Sequence, residues 1–303
     1  MPQRGARSAY IGVACTIVGS IAFSGKPVII KMAYAHGVDV MTLLALRMLF
    51  ALPFFLAMAW WAGGAPDSLT RRDWLSVTAL GFIGYYLGSW LDLAGLQYIS
   101  ASLGRLILFL YPTVVLLIGA VYLKQRITTK HVVSLGLSYG GIFLVFQSEA
   151  ALEGPLGTIF LGAALVFASA VTYAVYLIAG TRLIRKVGSM RFSSYASLAA
   201  TVFVIATFMA SHGPSRLAVA PEVYSLTLVL AVFSTVLPMW FVAEGLRRLG
   251  ANQVSLVACI GPVSTIALAH FFLGEPVTSV QLAGAALVLA GVGIISLRPA
   301  AGV

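Results

Sequence analysis

Four charged residues in the first half of the chain carry the chemistry its residue types allow. Lys26, Arg47, Asp92 and Arg105 each lie inside a long apolar run. An ionisable group in such a run is costly in lipid and faces a protein interior or an aqueous cavity. Asp92 cannot neutralise all three cations, so the cluster could hold an anion. In this reading Asp92 retains one cation by charge-assisted hydrogen bonds, and another is left to meet a carboxylate or phosphate. A structural reading stands beside it: Lys26 snorkels to the interface and Asp92 neutralises Arg47 in a buried pair. Glu244 and His270 are further ionisable groups, each near the end of its apolar run, where solvation or interfacial packing explains them. Asp92, Glu244 and His270 are the groups able to exchange protons, and Asp92 is the candidate proton carrier.

Other chemistries find no support. His36, His131, His212 and His270 are scattered, without the H-E-x-x-H spacing of a metallopeptidase. Cys15 and Cys259 sit in separate apolar stretches, which gives neither a disulfide framework nor a metal motif. Ser24 has no nearby histidine to act as base. No metal, no cofactor and no catalytic residue is expected, and an intramembrane enzyme is the least favoured reading.

The elements that position these charges follow from composition. Of 303 residues, 60% are hydrophobic and only 9% charged, against about 25% charged in soluble domains. With a mean hydropathy of +0.99, the chain cannot cover itself with polar groups in water. That excludes a cytosolic enzyme, a nucleic-acid module and a disordered regulator. Most of the basic residues behind the net charge of +10 sit in loops on one side, so no nucleic acid is implied.

Runs of 18 or more apolar residues, about the length of a spanning helix, predict an all-α polytopic membrane protein. Ten transmembrane helices are expected, at about 9–34, 39–62, 74–97, 101–123, 130–147, 157–181, 192–211, 224–246, 252–273 and 278–297. A barrel strand would instead alternate over about ten residues. Arg71, Arg72, Lys124, Arg126, Lys130, Arg182, Arg185, Lys186, Arg247 and Arg248 gather on one side, together with Arg4 and Arg7. Asp39, Glu149, Glu153, Glu222 and Glu275 fall on the other. The positive-inside rule then puts both termini in the cytoplasm, with an uncleaved first helix. A bacterial cytoplasmic (inner) membrane is the expected location.

A shift of 150 residues aligns the two halves. Gly95-Leu96 falls on Gly245-Leu246, Trp90 on Trp240, Tyr111-Pro112 on Gly261-Pro262 and Thr128 on Thr278. Two units follow, 1–150 and 151–303. Each holds five helices, so the second must insert upside down. Inverted repeats of this kind build many secondary transporters, with the substrate site between the repeats near the midplane. Under the shift, Lys26, Arg47, Asp92 and Arg105 become Tyr176, Ser197, Val242 and Ser255. The charge is confined to one repeat.

The stretch from Gly95 to Val145, containing GLQYISASLGRLILFLYPTVVLLIGAVYLKQRIT, resembles the duplicated module of the drug/metabolite transporter superfamily. The second copy, with GLRRLGANQVSLVACIGPVSTIALAHFFLGEPVT, is similar to the EamA-type domain. Glu275-Pro276-Val277-Thr278 fits the acidic residue of that pattern, whereas the first copy has Gln125 there. The resemblance implies ten helices around a central cavity and transport of a small metabolite, often an amino acid and often outward. Relatives that flip lipids or lipid-linked sugars supply the alternative.

Within that frame the remaining candidates take their places. Ser102, Arg105, Phe109 and Pro112 share one helix face, and Asn252, Ser255, Cys259 and Pro262 share the matching one. The two faces are expected to oppose each other across the cavity. Pro112 and Pro262 are the candidate hinges, because proline removes a backbone donor and kinks a helix. Trp90, Tyr111, Tyr176 and Trp240 join Arg47, Asp92, Arg105, Phe109, Ser255 and Cys259 as the candidate substrate-binding set. Gly81, Gly84, Gly88 and Gly95 flank Asp92 on one stripe and should pack tightly. Gly136 and Gly140, with Ala286 and Ala290, form small-residue faces that join the repeats or make a homodimer. The reading is a secondary transporter, with a small-molecule substrate and the lipid bilayer as partners, working by alternating access. No Walker A sequence is present.

Overall fold

The computed structural model describes residues 2–61, 69–122, 124, 127–152, 155–249, 254 and 257–296. Among them the chain is helical throughout, with no strand. In a bilayer this is what the backbone requires, since a helix satisfies its own polar groups. The helices are α1 (Pro2–Ser24), α2 (Lys26–Tyr34), α3 (Val40–Trp61), α4 (Arg71–Gly81), α5 (Gly88–Gly95), α6 (Ala101–Leu108) and α7 (Tyr111–Tyr122). They continue with α8 (Thr129–Leu152), α9 (Leu156–Val187), α10 (Ser189–Ser211), α11 (Pro221–Ala231), α12 (Leu237–Leu249), α13 (Ile260–Leu273) and α14 (Ser279–Ser296).

Seven helices are long and apolar enough to cross a membrane, and two shorter apolar helices cover Ile260–Leu273 and Ser279–Ile294. The expected count of ten is thus not reached among the described residues. The third run is helical from Arg71 to Gly95 without a break, but its glycines, tyrosines and charges dilute its hydropathy. Much of the start of the ninth run lies outside the described residues. The chain is a membrane protein with several spanning helices.

Breaks in the helices fall where the sequence removes a donor. α1 gives way to α2 at Gly25, just before Pro27. Phe109 and Leu110 form a turn between α6 and α7, just before Pro112. Cys259 is a turn before α13, which carries Pro262. Pro53 sits inside α3 without a break. Two irregularities escape a 3.6-residue pattern: Phe82–Leu87 and Val232–Val236 are π-helical. They occupy positions related by the 150-residue shift. Such one-turn bulges recur at functional sites.

Packing follows the same shift. α1 lies along α12 and α5 lies along α9, so one pair is the shifted image of the other. α3 packs on α10 and α8 on α14, each against its own counterpart, and α6 meets α13. Glycines set the closest crossings. A Cβ on Gly95 would stand 2.7 Å from the Gly162 carbonyl oxygen, and one on Gly162 would stand 2.9 Å from that of Gly95. The image pair is Gly245 against Gly12, where a Cβ on Gly245 would collide with Thr16 Oγ1. A two-repeat architecture fits these contacts.

One of the two alternatives for the small-residue stripes is overturned, that they join the repeats. Gly136 and Gly140 have nothing within 4 Å of an added Cβ, and Ala286 and Ala290 are exposed. The α8–α14 crossing instead uses Gly141 and Gly284, a Cβ on Gly284 standing 2.6 Å from the Gly141 carbonyl oxygen. The Gly136 stripe is turned about a quarter of a helix away from that contact, so it does not join the repeats.

Candidate functional site

Asp92 reaches the interior because the helical stretch from α4 through α5 is bare of side chains along that face. An added Cβ on Gly84 would come within 2.7 Å of the Tyr176 side chain, and one on Gly88 within 2.8 Å of Thr172 Oγ1. The backbone therefore lies directly on α9, with Asp92 one turn further along and 4% exposed. Lys26, the first residue after the Gly25 break, brings its Nζ to 2.6 Å from Asp92 Oδ2. The two side chains are 12% and 6% exposed.

This settles which cation Asp92 holds. Its partner is Lys26 rather than Arg47, and Lys26 does not snorkel, because the helix break aims it inward. Arg47, 3% exposed, donates instead to Ser89 Oγ at 2.9 Å. Its Nε has no partner among the described residues.

Arg105 is placed differently from both. It sits in the last turn of α6 and is 8% exposed. Its guanidinium carbon lies 4.5 Å from the centroid of the Phe23 ring, a cation–π contact. Among the described residues it makes no hydrogen bond, and its Nε is a buried donor with no partner. Gly261 presses against the guanidinium, since a Cβ there would lie 3.0 Å from a terminal nitrogen. Lys26, Asp92, Leu96, Arg105 and Leu108 line a small cavity with room for about one water. A buried donor left unbonded calls for an explanation, and the residue that carries it lines this cavity. Asp92 acts electrostatically on all three cations, yet it offsets only one of them.

From Arg105 a file of aromatic rings leads away. Tyr111, which opens α7, meets Tyr173 at 5.0 Å edge-on. Tyr173 stacks on Tyr176 at 6.1 Å, and Tyr176 on Phe192 at 5.2 Å. Tyr85, from the π-helical segment, meets Tyr176 edge-on at 5.2 Å. Tyr173 is 37% exposed, so this file borders accessible space.

The other candidates disperse. Phe109 caps α6 and is partly buried. Trp90 packs beside the core of α3. Trp240 is 45% exposed, and its ring contact is with Phe241. Cys259 is partly buried at the turn before α13. Ser255 and Asn252 lie outside the described residues. Glu244 pairs with Arg248 at 2.6 Å, four residues on, and exposed His270 bonds the Glu275 carbonyl oxygen through Nδ1 at 2.9 Å. Sequence reasoning missed Phe23, Gly261 and Ser89 as partners of the two arginines, and no periodicity marks them.

The two ends of the bundle are fastened by carboxylates. Glu149 accepts from Ser100 N–H at 2.6 Å and from its hydroxyl at 2.5 Å. Glu275 accepts from Ala101 N–H at 2.7 Å and from Ser102 N–H and Oγ at 3.2 and 2.8 Å. Both acids thus cap the start of α6. At the opposite end Asp73 binds Lys186 at 2.6 Å and closes a capping box with Thr70. The hydrogen bond from Lys186, followed by those from Thr70, holds the Asp73 carboxyl well below the usual carboxylate range.

Comparison with known proteins adds a family. Residues 10–147 and 160–297 each match the EamA-like transporter family. The chain is 28% identical over 286 residues to "Uncharacterized transporter YcbK" of Bacillus subtilis (strain 168), covering 92% of this chain and 90% of that one. It is 26% identical over 205 residues to a "Probable terminal-alkyne amino-acid exporter" of Streptantibioticus cattleyicolor, covering 67% of each. A solved crystal structure superposes with a TM-score of 0.64 at 17% identity, over 95% of this chain and 96% of that chain. That likeness is one of fold.

Proposed function

The chain belongs to the EamA-like transporter family, and from that premise we propose that it carries a small carboxylate-bearing metabolite, an amino acid before others, outward across a bacterial inner membrane. The observation that carries this reading is the Arg105 guanidinium, buried beside a cavity with its hydrogen-bonding capacity unspent. Its planar fork suits a carboxylate. Because Asp92 is occupied by Lys26, an anion arriving at Arg105 does not have to displace an internal partner.

Both termini lie in the cytoplasm in this reading, which puts Glu149 and Glu275 outside and Asp73 and Lys186 inside. On the outer side Lys31 reaches the Ile99 carbonyl oxygen at 2.7 Å and Tyr34 that of Leu93 at 2.8 Å. Ser24 donates to the Gly261 carbonyl oxygen at 2.9 Å. These bonds hold the first span to the third, to the connection that follows it and to the ninth, and they support a state closed to the outside. The tyrosine file would be the inner approach. Alternating access would open the outer bonds, with the breaks before Pro112 and Pro262 as hinges. The exporter named among the relatives supports outward movement.

The test is counterflow. Protein reconstituted in liposomes preloaded with pooled unlabelled amino acids should concentrate a labelled one without any applied gradient. Absence of counterflow by folded protein with every amino acid would refute the substrate class.

A further inference from the structure

A second polar cavity lies away from the cation cluster, at the end of the bundle where α6 begins. It lies between α8, α14 and the segment before α14, and it has room for about one water-sized particle. Glu149, Glu275, Ser148, Thr278 and Gln281 line it. Each contributes oxygen, and none is a cation.

The carboxylates have an evident structural duty in capping α6. Capping does not explain Gln281. The residue is only 8% exposed, and its Oε1 is buried with no hydrogen-bond partner among the described residues. The adjacent Ser148 and Thr278 hydroxyls, 3.4 Å apart, do not reach it. A buried carbonyl oxygen without a donor costs free energy, and here it borders a space already rich in acceptors. A water held there could donate to only two of these oxygens, whereas a cation is met by all of them at once.

The geometry points to an alkali-cation site, with Na⁺ as its occupant, formed by Gln281 Oε1 together with Glu149, Glu275 and the two hydroxyls. The inference rests on the transport reading and deepens it by naming a coupling ion. Hard oxygen donors favour a hard cation over a transition metal. The charge of the two carboxylates is partly offset by the N-terminus of α6, whose N–H groups they accept. That favours a monovalent ion over Ca²⁺. Limited room excludes an organic cation. The site also lies on the helix that carries Arg105, so occupancy would stabilise the cap of that helix in one state of the transport cycle.

Binding of ²²Na⁺ to the purified full-length protein, without substrate, tests this directly. Wild type should bind it saturably. Gln281→Leu keeps the side chain's bulk and should weaken binding about tenfold, as loss of a partner around a metal does. Glu149→Gln removes charge at a helix cap and could unfold the protein, so Gln281→Leu is the deciding variant. Arg105→Gln leaves every donor in place and should bind ²²Na⁺ as wild type does, even where counterflow fails; the two claims are therefore read separately. Absence of saturable binding by folded wild type would overturn the site. So would equal affinity in Gln281→Leu, or displacement by Ca²⁺ at lower concentration than by Na⁺ itself.

Discussion

Lys26 and Asp92 form an ion pair at 2.6 Å between two side chains almost wholly withdrawn from solvent. The pair joins the start of α2, at the Gly25 break, to the glycine-lined face of α5, and it leaves Arg105 with no acceptor among the described residues. Each partner was costly to bury and is tolerated because of the other. Removing one strands the other, at about 3–5 kcal/mol, whereas replacing both by apolar residues of similar volume is near neutral or stabilising. Asp92→Asn should therefore lower the melting temperature in detergent, and Lys26→Met combined with Asp92→Leu should recover most of the loss. Equal melting of wild type and Asp92→Asn would show that the pair carries no such weight.

Gly84, between α4 and α5, and Gly140, on α8, predict a contrast within one residue type. Gly84→Ala would thrust a Cβ against Tyr176 at 2.7 Å, and overpacking of this kind costs about 1–3 kcal/mol. Gly140→Ala meets nothing within 4 Å and should be neutral or slightly stabilising. Thermal melting of the two variants side by side checks both.

Acid should act on the Asp73–Lys186 contact. The folded-state pKa of Asp73 lies below its unfolded value, since Lys186 and Thr70 bind the ionised form. Such a group contributes stability that is fully present above the unfolded value of about 3.9 and fades as pH falls below it. Melting at stepped pH should show wild type losing stability more steeply below about pH 4 than Asp73→Asn does. Parallel curves would contradict the assignment.

The proline breaks predict a kinetic effect. Pro112→Ala restores a backbone donor beside the turn at Phe109 and Leu110. It should stiffen the helix and slow counterflow while leaving half-saturation unchanged. A higher rate would argue against a hinge there.

What was legible in the sequence tracks the physics that wrote it. Lipid forces long apolar runs, so Val40–Trp61 and Met190–Ser211 stand out without a structure. The burial of Asp92 followed from the glycines around it. Its partner did not, because the choice of Lys26 over Arg47 depends on the turn at Gly25. The π-helical segments were invisible, since a pattern of apolar residues does not report which backbone bond is made. Gly136 and Gly140 misled because spacing identifies a stripe but not the direction it faces. Phe23 beneath Arg105 is a contact between distant spans that leaves no mark in either one.

The central claim is that Arg105 receives the substrate's carboxylate, and counterflow in Arg105→Gln and Arg105→Lys tests it most directly. A hydrogen bond to a charged group is worth about 1.5–3 kcal/mol. Half-saturation for the carboxylate substrate should therefore rise about 10–100-fold in Arg105→Gln and less in Arg105→Lys. An amidated analogue of the same substrate should compete equally well against both variants. Unchanged half-saturation for the carboxylate in folded Arg105→Gln would contradict the account.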